Sequence, residues 1–114
     1  MRGTLLAGLA MALLAGCSEG TSFDVHADLV ESDEHPFLVR LEVTAHGTDV
    51  YGFDPEQHVR LETQGGELAP AYVEIDANST QDHAEFLLGF NASPGQEATL
   101  VVRGLDKEHR FELP

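Results

Sequence analysis

The chain has 114 residues, of which 20 are Asp or Glu and 6 are Lys or Arg, with 6 His, one Cys and no Trp. That length admits one small domain, and a formal charge of −14 excludes binding nucleic acid or anionic lipid through a basic patch. A hydrophobic fraction of 42% is too high for a disordered acidic tail, and a single cysteine excludes an internal disulfide or a multi-Cys zinc site.

The chain opens with Met1-Arg2-Gly3-Thr4 and then runs through an almost wholly apolar stretch, 5–14. About ten residues is half of what a bilayer-spanning helix needs, so the stretch reads as a signal-peptide core. It ends in Leu14-Ala15-Gly16-Cys17. Those four residues resemble the lipobox of bacterial lipoproteins: Leu, a small residue, Gly or Ala, then the Cys that becomes lipidated. The resemblance implies cleavage after Gly16, recognised through Leu14, Ala15 and Gly16. It further implies diacylglyceryl attachment to the Cys17 sulfur and acylation of the new amino group. The competing reading is an ordinary secretory signal with an incidental cysteine. On the lipoprotein reading residues 1–16 are the signal peptide and 17–22 the lipidated Cys with a short linker. The mature chain has 98 residues, and the loss of Arg2 takes its formal charge to −15. Ser18 follows the cysteine where the family's inner-membrane retention signal has Asp, which implies the outer membrane in a Gram-negative cell.

From Phe23 the period is two. Phe23, Val25, Ala27 and Leu29 alternate with Asp24, His26 and Asp28, and Phe37, Val39, Leu41, Val43 and Ala45 alternate with polar neighbours. Shorter runs at 58–62, 71–76, 84–90, 98–103 and 109–113 follow the same rule or are more continuously apolar. Turn chemistry separates them. Gly65-Gly66 suits a tight hairpin, and Ser93-Pro94-Gly95-Gln96 suits a type II turn with Gly at the third position. Asp33-Glu34-His35-Pro36, Asp54-Pro55 and Asp76-Ala77-Asn78-Ser79 are polar breaks. About seven antiparallel strands over residues 23–114 predict an all-β, two-sheet sandwich.

The segment 38–114 is similar to telokin-like immunoglobulin-fold domains of unknown function found in bacterial lipoproteins. The matching pieces are Leu38-Val39-Arg40-Leu41-Glu42-Val43, then Val59-Arg60-Leu61-Glu62-Thr63 before Gly65-Gly66. Later come Ala84-Glu85-Phe86-Leu87-Leu88, Ala98-Thr99-Leu100-Val101-Val102 and Phe111-Glu112-Leu113-Pro114. Such domains usually carry a Pro-Gly turn where this chain has Asn78-Ser79-Thr80-Gln81-Asp82. The resemblance implies an immunoglobulin-like sandwich and no catalytic residues.

Chemistry is sparse along the chain. Lys107 is the only lysine and no Gly-rich phosphate loop precedes it. None of the serines sits in a nucleophile elbow, and 20 acids make any carboxylate pair uninformative. The metal reading is the one with a pattern. A strand over 24–28 puts Asp24, His26 and Asp28 on one outward face, about 6.6 Å apart, with His35 in the next loop beside Glu31, Asp33 and Glu34. Carboxylate plus imidazole suits Zn²⁺ or Cu²⁺, and the carboxylates alone suit weak Ca²⁺ binding. The spacing lets at most two of the strand residues share one ion, and the alternative is a solvated acidic face. His46, His58, His83 and His109 stand singly and are expected to be mostly exposed. Tyr51, Phe53 and Tyr72 either line a ligand-facing cluster or close the end of the core.

The expectation is therefore a non-enzymatic envelope module, held at a membrane by lipid on Cys17, without nucleic acid or a resident cofactor. Its partner would be another envelope protein or an external ligand. The rival expectation is a periplasmic or surface metal-binding or metal-delivery protein built on acidic and His side chains.

Overall fold

A computed structural model describes residues 21–93 and 95–113. The expected signal peptide, the expected lipidation site Cys17 and the expected linker up to residue 20 lie outside the described residues, as do Pro94 and Pro114. The described chain forms strands β1 (Ser22–Val30), β2 (Leu38–His46), β3 (Val59–Thr63), β4 (Gly66–Leu68), β5 (Tyr72–Ile75), β6 (His83–Gly89), β7 (Ala98–Val102) and β8 (His109–Leu113). One helical turn, α1 (Pro55–His58), precedes β3.

All pairings are antiparallel, in two sheets of four. The first sheet has the order β1-β2-β6-β5 and the second β4-β3-β7-β8. The all-β, two-sheet expectation holds, and each of the seven expected runs is a strand. The eighth, β4, has three residues, too few to show a period. It exists because the turn after Thr63 returns the chain against β3, where Leu61 faces Leu68 and Thr63 faces Gly66. The Thr63 hydroxyl holds that turn by accepting from the Gly65 N–H at 3.2 Å and donating to the Gly66 carbonyl at 3.0 Å.

Alternation decides which side chains enter the core. In β2, Val39, Leu41 and Val43 are fully buried while Arg40 between them is exposed. Ala84, Phe86 and Leu88 of β6 join them from the same sheet, and Val59, Leu61, Leu100, Val102 and Leu113 face them from the other. Two loop aromatics and their partners close the ends. Phe53 packs edge-on against Phe86 with ring centroids 5.8 Å apart, and Phe37 against Phe90 at 6.5 Å. Val101 and Leu38 are buried without belonging to this core. Val101 points outward between Arg60 and Arg110 in register, where long aliphatic stems account for its burial.

Local chemistry sets the connections. Asp54 caps α1 by accepting the Glu56 N–H at 3.0 Å, and Pro55, which has no N–H to satisfy, takes the first helical position. Asp76 accepts the Asn78 N–H at 2.7 Å in the break after β5. Gly95 has φ +79° and the Gln96 N–H reaches the Ser93 carbonyl at 3.2 Å, the geometry expected of that turn.

Candidate functional site

The outer face of the first sheet carries the chain's most concentrated chemistry. In antiparallel pairs, residues directly opposite point to the same side. His26, Glu42 and Glu85 therefore stand in one row across β1, β2 and β6. Asp24, Thr44 and His83 form the next row on one side. Asp28, Arg40, Leu87 and Glu74 form the row on the other. With His46 at the end of β2, five carboxylates and three imidazoles thus share this face with a single guanidinium.

On the opposite sheet arginines engage three of the acids. Arg110 pairs with Glu62 and, at 3.1 Å, with Glu108; Arg103 pairs with Glu108 at 3.1 Å and Glu67 at 3.6 Å. The hydrogen bonds from Arg103 and Arg110 hold the Glu108 carboxyl below the usual carboxylate range.

Within the acidic face the contacts are specific. His83 Nδ1 lies 2.9 Å from the Thr44 hydroxyl, and its Nε2 faces Glu42 Oε2 at 3.6 Å. Arg40 Nε forms an ion pair with Glu85 Oε1 at 3.2 Å. Donor atoms of Glu42, His83 and Glu85 all lie within 4.8 Å of one another, and this is the one group of three or more potential metal ligands among the described residues.

The residues singled out from the sequence are only partly brought together. Asp24, His26 and Asp28 are exposed on one face of β1, as alternation predicts. Asp24 is taken up by His46, whose Nε2 lies 2.8 Å from its Oδ2. His35 does not join them. Its ring stacks on Tyr72 with centroids 4.3 Å apart, and Tyr72 belongs to β5, at the opposite edge of the sheet from β1. The Tyr72 hydroxyl hydrogen-bonds Glu74, which together with partial desolvation raises its pKa.

The sequence does not show Glu42, His83 and Glu85 as a group. A His-x-Glu pair at 83 and 85 was visible, but its meeting with Glu42 depends on β6 lying beside β2. Of the four scattered histidines only His46 is exposed; His58, His83 and His109 are half-buried. His58 stacks on Phe53, and His109 reaches Asp106. The three loop aromatics do not form a cluster: Phe53 is in the core, Tyr51 is exposed and Tyr72 lies on β5.

Comparison with protein-family models, curated proteins and solved structures gave no match for this chain.

Proposed function

We propose that this chain is a non-enzymatic, lipid-anchored module of the bacterial cell envelope, with an immunoglobulin-like sandwich that presents the outer face of its first sheet to a cationic partner. The strand orders β1-β2-β6-β5 and β4-β3-β7-β8 correspond to the A-B-E-D and C′-C-F-G orders of that fold. The observation that carries the proposal is the imbalance between the two outer faces. One bears five carboxylates against the single guanidinium of Arg40, and the other pairs Glu62, Glu67 and Glu108 with Arg103 and Arg110. A face with this excess of carboxylates over guanidinium attracts and orients a basic ligand, and it keeps the domain off anionic lipid. Cys17 supplies the tether, at most five residues before β1 begins at Ser22.

Three measurements test the reading. Cys17→Ala should abolish incorporation of labelled palmitate and release the protein from the membrane fraction; retention of both would remove the anchor. Cross-linking in native membranes should then compare Asp24→Lys with Asp28→Lys on the first sheet against Glu67→Lys with Glu112→Lys on the second. Partner capture lost only with the first pair supports the proposal, and equal capture by both overturns it. Turnover of a substrate that disappears on a single carboxylate or His substitution would overturn the non-enzymatic part.

A further inference from the structure

We propose that Glu42, His83 and Glu85 form a site for one divalent transition-metal ion of the Zn²⁺ class. The inference goes beyond the module reading and does not depend on it.

The distances within the group match a coordination shell better than a hydrogen bond. His83 Nε2 and Glu42 Oε2 stand 3.6 Å apart, too far for a strong N–H···O bond. Two donors each about 2.1 Å from a tetrahedral ion stand about 3.4 Å apart, so the observed pair needs only a small adjustment. Glu85 completes the triangle within the same 4.8 Å limit.

The scaffold aims these groups. Glu42 and Glu85 are directly opposed on adjacent strands, and His83 sits two residues from Glu85 on the same face of β6. Like charges facing each other across a strand pair repel, and a bound cation converts that repulsion into attraction to a shared centre. The Thr44 hydroxyl holds His83 Nδ1 at 2.9 Å, which orients the ring and leaves Nε2 turned to the carboxylates. An outer partner on the second ring nitrogen is the usual companion of a metal-binding histidine. Arg40 plays the same part for Glu85 through Oε1, and the carboxylate keeps its second oxygen.

The donor set defines the ion. One imidazole and two carboxylates favour Zn²⁺ or Cu²⁺ over Ca²⁺, which takes six or more oxygen ligands. Three protein donors leave a fourth position for water. His26 on β1 stands opposite Glu42 in the same row.

Titration calorimetry of the purified full chain with ZnCl₂ and CaCl₂ near pH 7 tests the site. Zn²⁺ should bind with one-to-one stoichiometry and more tightly than Ca²⁺. His83→Ala and Glu42→Gln should each weaken Zn²⁺ at least about tenfold, and Thr44→Val about tenfold through loss of ring orientation. Asp24→Asn and Asp28→Asn, on the same face but outside the triangle, should change affinity less than about threefold. Imidazole ¹⁵N spectra of the unsubstituted protein give a second readout that needs no variant: Zn²⁺ should move Nε2 of His83 and leave His46 and His109 in place. A dissociation constant weaker than about 0.1 mM, equal losses from His83→Ala and Asp24→Asn, or an unmoved His83 resonance would each overturn the site.

Discussion

His109 Nε2 lies 2.9 Å from Oδ1 of Asp106, and through that carboxylate the second sheet holds the beginning of the first. The other oxygen of Asp106 accepts the Phe23 N–H of β1 at 3.3 Å, and Oδ1 also accepts the Lys107 N–H at 2.9 Å. Partial burial opposes ionisation of Asp106. The hydrogen bonds from His109, Lys107 and Phe23 together outweigh it and keep the carboxyl below its usual range.

Asp106→Asn should therefore cost about 1–3 kcal/mol near neutral pH, the range for a hydrogen-bonded charged group. A carboxyl whose folded pKa is depressed contributes fully above the unfolded value, about 3.9. That contribution fades as the pH falls through the folded value. Urea unfolding of both proteins from pH 7 down to pH 2 should show the difference narrowing below about pH 4. A difference that widens on acidification would contradict the latch.

Gly104 and Gly66 separate two glycine requirements. Gly104 has φ +84°, and a Cβ there would meet the His58 ring at 2.6 Å, whereas Gly66 has φ +120° and open space around the added atom. Gly66→Ala should cost about 1–2 kcal/mol from backbone strain alone. Gly104→Ala adds a clash with a ring that is itself packed on Phe53, so its midpoint in denaturant should fall further. Gly65→Ala, with no contact closer than 3.8 Å and no positive φ, should be close to neutral.

Adjacent leucines in β6 test the alternation directly. Leu88 is fully buried among the core residues, while Leu87 points to the outer face beside Arg40 and Glu74. Leu88→Ala should cost about 2–5 kcal/mol and Leu87→Ala about 1 kcal/mol or less. Chemical denaturation of the two variants measures both, and equal losses would mean that the strand faces are misassigned.

Gly89 controls where the 31–37 loop rests. A Cβ at this position would stand 3.1 Å from Tyr72 Cβ and 3.3 Å from His35 Nδ1, so Gly89→Ala should push the two rings apart. The upfield ring-current shift of the His35 imidazole protons should diminish in the NMR spectrum. Overpacking of this size costs about 1–3 kcal/mol. An unchanged His35 shift would show that the stack does not depend on the glycine.

The sequence by itself determined which segments are strands, which side chains enter the core and where several turns fall. These are local properties: side chains alternate every residue, Asp54 and Asp76 cap backbone N–H groups two residues on, and Gly95 supplies a positive φ. The exposed face of Asp24, His26 and Asp28 follows from that alternation alone. What they face does not. Thr44 and His83 are 39 residues apart and meet only because β6 pairs with β2. The same strand order puts Glu42 against Glu85 and sends His35 to Tyr72 instead of to β1. Strand β4 and the burial of His58 and His109 also came from tertiary contact, since a three-residue strand has no period and an isolated histidine carries no pattern. Pairing order rests on the summed packing of both sheets against one core, which no single segment encodes. The acidic charge was legible from composition; its concentration on one face was decided by the fold.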